Sequence, residues 1–398
     1  MSPAVSPAAP HPLASLGPEV AALPFVSLGH FATRLHRVAD LPPDHASGPG
    51  KSLSRELDLW VKRDDESGVP YGGNKVRKLE FLLGEARAAG ATGLVTMGGF
   101  GSHHVLATAI YGRALGLGVH AVVFPQPITP HVLETIRAGA AAGCVYHAVG
   151  GFAGVVPAVA RLRAARSTTW IAAGGSSPVG SLGYVASALE LAAQIARGEM
   201  PPPDVIYVAL GSCGTVAGLL VGLAIAGLGA RVVAVRVVPA IVCNRRATLR
   251  LTAQTARLLA KCGARMPPIR EVMKAAAARL VVDGSRYGGA YGLPTTEATG
   301  AVEQAGRIGL HLETTYTGKA FAALLGDAAA RHLDGQRVLF WNTFSSADLA
   351  PLLVGAPSSS SDLASTSAPK PASTSASTWA SLPPRLAALF ASRDAAAR

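Results

Sequence analysis

Short apolar runs alternate with longer Ala/Leu-rich stretches along most of the chain. The runs at 59–61, 94–97, 120–124, 169–172, 205–210, 232–238 and 338–341 are too short for helices and predict strands. Between them, 74–89, 102–115, 182–196 and 215–228 carry helical spacing. Alternation of this kind predicts parallel sheets with helices on both faces. The strands are too many for one sheet, so the expected fold class is α/β, with two three-layer α/β domains built on mostly parallel sheets. The expected division is a flexible N-terminal segment over 1–22, a large domain from 23–77 and 178–352, and a small domain over 78–177. A tail over 353–398 follows. Its stretch 355–383 is dominated by Ser, Ala, Thr and Pro and predicts a linker. Beyond it, Leu386, Leu389 and Phe390 share one face of a short Pro-started helix.

Composition narrows the class. The chain has 398 residues, 49% hydrophobic and 15% charged, which favours a large buried core over disorder. Positive mean hydropathy (+0.32) raises the question of a membrane, and 205–230 carries no charge. Yet Gly211-Ser212-Cys213-Gly214-Thr215 cuts that run into a strand, a turn and a helix. No secretory signal is visible at the N-terminus, where prolines interrupt the apolar residues. The expectation is a soluble cytoplasmic protein with no membrane partner. Cys144, Cys213, Cys243 and Cys262 contain no C-x-x-C pair and read as reduced thiols, not as a disulfide framework or zinc site. Without an H-E-x-x-H motif, no metal centre is expected.

Net charge is +12, concentrated in 231–286, where twelve Lys and Arg residues stand against Glu271 and Asp283. Arg245, Arg246, Arg250, Arg257 and Lys261 interleave with apolar residues, as on the solvated face of an amphipathic helix. No aromatic residues are interleaved as a stacking platform, so nucleic acid is not an expected partner.

Candidate chemistry is concentrated in five segments. Tyr71-Gly72-Gly73-Asn74-Lys75-Val76-Arg77-Lys78-Leu79-Glu80 places a lysine at the first turn of a helix, after a glycine pair. Burial and the neighbouring cations Arg77 and Lys78 would lower the Lys75 pKa and make it a covalent catalyst. Cations at a helix start oppose its dipole, which marks the segment as more than a scaffold. Gly98-Gly99-Phe100-Gly101-Ser102-His103-His104 follows a strand and opens a helix, as an anion site or a Ser-capped turn. Gly211-Ser212-Cys213-Gly214-Thr215 can cradle a phosphate with amides and hydroxyls, although it lacks a Walker lysine and G-x-G-x-x-G spacing. Tyr291 and Tyr316 head Y-G-L-P and Y-T-G-K, and each alone reads first as a packed tyrosine with a satisfied hydroxyl. Phe340-Trp341-Asn342-Thr343-Phe344-Ser345 is a strand running into small polar residues.

In this order the segments resemble the pyridoxal-phosphate enzymes of the tryptophan-synthase β fold (fold type II). The similar branch holds D-cysteine desulfhydrase and aminocyclopropane-carboxylate deaminase, and the resemblance spans about 25–349. It implies pyridoxal 5'-phosphate as cofactor, carried covalently by Lys75 next to Asn74, with Ser102 facing the substrate carboxylate. Gly211, Ser212, Gly214 and Thr215 would hold the phosphate. Tyr291 and Tyr316 would line the reacting side of the ring, and Thr317 would approach the pyridine nitrogen with Thr343 close by. His103 stands where the family has an Asn that contacts the ring hydroxyl, and Gly101 replaces a Gln, leaving room for the imidazole. The implied enzyme is a cytoplasmic, homodimeric lyase acting on a small amino-acid substrate. β-Elimination from D-cysteine to pyruvate, ammonia and hydrogen sulfide comes first. The alternatives are aminocyclopropane-carboxylate deaminase, cysteate sulfo-lyase and a catalytically silent paralogue that binds the cofactor. A nucleotide-dependent oxidoreductase is disfavoured by the missing dinucleotide fingerprint.

Overall fold

The structure, a computed structural model, describes residues 11–39, 57–164 and 167–353. Along these residues run strands β1 (Leu35–Val38), β2 (Asp58–Arg63), β3 (Gly93–Gly99), β4 (Gly118–Phe124), β5 (Val145–Ala148), β6 (Thr168–Trp170), β7 (Val205–Leu210), β8 (Arg231–Arg236), β9 (Leu280–Asp283) and β10 (Arg337–Asn342). The helices are α1 (Pro18–Ala21), α2 (Asn74–Ala88), α3 (His103–Ala114), α4 (Pro130–Ala141), α5 (Val155–Ala164), α6 (Pro178–Ala196), α7 (Gly214–Ile225), α8 (Arg245–Lys261), α9 (Ile269–Arg279), α10 (Thr296–Arg307), α11 (Thr317–Ala329) and α12 (Ala350–Leu353).

The described residues divide into two compact units, one within 11–90 and 172–347, the other within 91–171 and 348–353. The expected boundary at 77/78 falls inside α2. That helix packs on α6 and stays whole in the first unit.

In the first unit the sheet order is β1-β2-β10-β7-β8-β9, parallel except for the antiparallel β1–β2 pair. Side chains alternate between its faces, as the two-residue period of a strand requires. Ile206, Val208 and Leu210 join Leu339 and Trp341 in a core under α6 and α7. Val205, Tyr207 and Ala209 join Val338 and Phe340 in a second core under α10 and α11. With both faces covered, the central strands contain uninterrupted apolar runs. The uncharged run at 205–230 is indeed a strand, a turn and a buried helix.

A single described helix, α6, is long and apolar enough to cross a membrane, with mean hydropathy 1.3 over its window. It packs against α2 and α7, which accounts for its apolarity as a core helix.

The N-terminal expectation needs correction over 11–22. Leu13, Leu16 and Val20 are buried against Phe81, Leu259 and Val272, so this stretch is part of a core. The Ser/Pro-rich linker and the helix expected around Leu386, Leu389 and Phe390 lie outside the described residues.

The second unit carries the parallel sheet β5-β4-β3-β6. Strand β3 is buried along its whole length and leads directly into the turn before α3.

Candidate active site

The start of α2 is held by the end of β10. Gly73 has φ +85°, and a Cβ there would stand 2.6 Å from the Phe344 carbonyl oxygen, so only glycine fits. The next residue, Asn74, donates its backbone N–H to the Thr343 carbonyl at 3.1 Å. Its side-chain Nδ2 donates to Thr215 Oγ1 at 3.0 Å, and its Oδ1 accepts from Lys75 Nζ at 2.5 Å. Burial pulls the Lys75 amine down to about 8, against the opposing pull of the Glu313 carboxylate. Arg77 plays no part in this. It turns away to pair with Asp64 at 2.7 Å and Glu190 at 2.9 Å, and its guanidinium stacks 4.1 Å from the Phe31 ring.

The turn after β7 makes the second half of the site. Ser212 Oγ lies 2.8 Å from Ser176 Oγ, which also accepts the Gly214 N–H at 3.2 Å. Lys78 Nζ donates to the Gly174 carbonyl at 3.1 Å and to Ser176 Oγ at 3.4 Å. A Cβ on Gly214 would meet Ser176 Oγ at 2.5 Å and Lys78 Nζ at 3.1 Å. Lys78 is 1% exposed, and no carboxylate pairs with it among the described residues. Burial, with the charge of Lys75 adding to it, holds its pKa well below the usual amine value. A buried amine beside the N-terminus of α7 is the environment an anion would complete. Sequence reading singled out neither Ser176 nor Lys78 for this role. The available signal was spacing, since Lys75 and Lys78 are three apart and share one helix face.

The cysteine expectation is overturned at the same turn. Cys213 is bonded to Cys243, 30 residues along the chain, while Cys144 and Cys262 are free. A pairing this distant leaves no trace in local spacing.

Tyr291 and Tyr316 meet through their hydroxyls at 2.5 Å, and the Tyr316 ring abuts Gly211, whose Cβ would lie 3.1 Å from Tyr316 Cε1. Burial pushes Tyr291 up to about 12 and Tyr316 well above its usual value, so both are protonated at neutral pH. Below them, Glu313 organises the N-terminus of α11. Its carboxylate accepts from the backbone N–H of Thr315 at 2.7 Å, Tyr316 at 2.8 Å and Thr317 at 2.9 Å, and from Thr317 Oγ1 at 3.3 Å. Glu313 was also missed in the sequence. A carboxylate just upstream of a helix, where unpaired amides need an acceptor, was the legible signal.

Ser102 and His103 belong to the second unit. Ser102 caps α3, accepting the Val105 N–H at 3.4 Å, as its capping reading requires. The space beside Gly101 is occupied by Val132 and Gln126, 2.7 Å and 2.9 Å from where a Cβ would stand. The His103 ring rests against His131, with Nε2 atoms 3.1 Å apart.

In the first unit, the geometry describes a nucleophilic amine beside an anion cradle at the C-terminal ends of parallel strands, which is where α/β folds place ligands. An amine and a cradle so arranged suit an enzyme that binds a phosphorylated cofactor. The chain belongs to the pyridoxal-phosphate dependent enzyme family, whose model matches residues 45–343. It is 36% identical over 334 residues to nocardicin C-9' epimerase of Nocardia uniformis, covering 81% of this chain and 93% of that one. It is 32% identical over 333 residues to D-cysteine desulfhydrase of Yersinia pseudotuberculosis, covering 78% and 96%. Among solved structures, an ACC deaminase homologue superposes with a TM-score of 0.67 at 27% identity, covering 87% of this chain and all of that one. The fold is therefore the expected fold type II arrangement, and pyridoxal phosphate is the cofactor. The residues fit it: Lys75 offers an amine for the aldehyde, and Lys78, with no carboxylate partner among the described residues, lies beside the cradle that the phosphate would fill.

Proposed function

We propose that the protein is a pyridoxal-phosphate dependent lyase that removes a β substituent from a small amino acid, with D-cysteine going to pyruvate, ammonia and hydrogen sulfide. Lys75 would carry the cofactor, and Ser212, Gly214, Thr215 and Lys78 would hold its phosphate. Bound there, the cofactor supplies a sink for the electrons left on the α-carbon. The Lys75 amine, brought down to about 8, is suited to take the α-proton near neutral pH. Tyr291 and Tyr316 share one hydrogen between their oxygens, leaving one O–H to donate to a departing group.

The observation that carries this reading is Thr317. The resemblance places a Glu here in the deaminase branch and a Leu at Thr343. Thr317 is buried, offers only a hydroxyl, and that hydroxyl is tied to Glu313, which four donors already engage. Without a free carboxylate at this position, expulsion of a thiolate is favoured over opening of an unactivated ring.

A second reading is inversion at the α-carbon, supported by the 36% identity to an epimerase over 93% of its length. Both readings begin with loss of the α-proton. The test is a panel of D- and L-amino acids assayed for 2-oxo acid and sulfide, repeated in deuterated buffer. Pyruvate and sulfide from D-cysteine support the lyase, whereas deuterium at the α-carbon with inverted product and no 2-oxo acid supports the epimerase.

A further inference from the structure

Cys213 is the residue of the cradle that the proposed chemistry leaves unused. It lies between Ser212 and Gly214, whose polar groups both meet Ser176. Its φ is +69°, a region that disfavours any residue with a Cβ and that glycine enters freely. Its side chain makes no capping bond to α7 and instead bonds to Cys243. Cys243 stands on the loop after β8, beside Asn244, which caps α8. Because β7 and β8 are parallel neighbours, the cross-link ties their C-terminal ends together beside the cradle. A side chain held in a disfavoured backbone state persists where its surroundings over-determine it, and here the covalent bond does so.

We propose that Cys213 and Cys243 form a redox clamp on the phosphate cradle. As a disulfide they keep Ser212, Gly214 and Thr215 in the anion-accepting arrangement. As thiols they allow Cys213 to leave the left-handed region, and the cradle loosens its hold on the phosphate. The proposal rests on the assignment of this turn to the cofactor phosphate.

The exchange partner is a cellular dithiol–disulfide couple, and the electrons balance. A partner thiolate attacks the sulfur of Cys213, the residue that is 7% exposed where Cys243 is 0% exposed. The bond between the cysteines breaks, and Cys243 leaves with the electron pair as a thiolate. The partner's second thiol then attacks its own sulfur in the mixed disulfide, closing the partner's disulfide and releasing Cys213. Two electrons and two protons pass from partner to protein, and oxidation by the partner's disulfide is the reverse. Intracellular disulfides are commonly of this switching kind.

The test uses holoenzyme incubated with reduced or oxidised dithiothreitol. Alkylated cysteines are counted by intact mass, and retained cofactor is measured by absorbance after ultrafiltration. Two alkylatable cysteines are expected in the oxidised protein and four in the reduced one, since Cys144 and Cys262 are free. Reduction should weaken apparent cofactor affinity about five- to tenfold. Cys243→Ser should behave like the reduced protein under both conditions. Cys213→Gly should make retention insensitive to the reductant, because no clamp remains to open. Equal retention by oxidised and reduced holoenzyme, or four alkylatable cysteines after oxidation, overturns the clamp. Ser212→Ala separates the two ideas. If it leaves retention unchanged, the phosphate assignment fails and the clamp with it. If it weakens retention while redox state has no effect, the clamp alone fails.

Discussion

The amine of Lys75 donates to the amide oxygen of Asn74, its immediate neighbour in sequence, at 2.5 Å. Consecutive residues on a helix diverge by about 100°, so they do not ordinarily meet. They meet here because Asn74 is the first residue of α2 and is pulled toward the cradle by Thr215. The acceptor is neutral, so the amine is oriented without a carboxylate in contact to hold it protonated.

Cofactor capture by the apoprotein should therefore accelerate as pH rises through about 8, where Lys75 loses its proton. Borohydride should then fix pyridoxal phosphate to the Lys75 peptide. A flat rate between about pH 7 and 9, or a label on Lys78, would count against the assignment.

Replacing Lys78 by Met should have opposite effects on the two forms of the protein. The apoprotein loses a buried amine that has no carboxylate partner among the described residues, so its Tm should rise. The holoenzyme loses a charged hydrogen bond, so cofactor affinity should fall about 10- to 100-fold. Unchanged affinity in titrations of the apoprotein would remove Lys78 from the cradle.

Glu80 offers a pH test of stability. Its carboxylate accepts the N–H groups of Leu28 and Gly29 at 3.0 Å and 3.2 Å, and burial raises its pKa to about 7 from 4.5. The folded state thus binds the proton more tightly than the unfolded chain. Stability from this group is full below about 4.5 and is lost as pH rises toward 7, by roughly 3 kcal/mol. Glu80→Gln keeps an oxygen for both N–H groups and removes the titration. Denaturant melts should show it more stable than wild type at pH 8 by about 2–3 kcal/mol, with the gain gone near pH 4. An equal difference at both pH values would refute the linkage.

Substrate choice is addressed at Thr317 and Thr343. Wild-type enzyme should release sulfide and pyruvate from D-cysteine with little turnover of aminocyclopropane-carboxylate. Thr317→Glu combined with Thr343→Leu should shift the ratio of kcat/KM values toward the cyclopropane substrate. Comparable wild-type turnover of both compounds would defeat the argument from Thr317.

A further test concerns His103. If it stands against the cofactor ring, His103→Asn should alter the pH dependence of the cofactor's absorption spectrum. His131→Gln should alter it in the same sense, because the two rings are in contact. An unchanged profile in His103→Asn would place the residue away from the ring.

The strand-turn-helix at 205–225 was legible because six apolar residues end at a Gly-Ser-Cys-Gly turn, and both are strictly local signals. Lys75, Asn74 and the two tyrosines were legible as motifs. Tertiary partners were not. Ser176 reaches the cradle from a segment nearly forty residues before Gly214, and its hydroxyl bond to that amide has no sequence signature. Arg77 read as a neighbour of Lys75, yet its side chain answers Asp64 and Glu190, an arrangement fixed by packing. Leu13, Leu16 and Val20 were masked by the prolines around them, although their spacing suits a buried face.

Strand β10 lies between β2 and β7 in the sheet, and the residue after it anchors Asn74. During synthesis, then, the ribosome releases the lysine and both sheet neighbours long before the strand that joins them. A nascent chain halted short of Asn342 would have a gap in the middle of its sheet and an unanchored α2. Cofactor capture should thus be among the last events in biogenesis, and fragments ending before this strand should emerge without the vitamin.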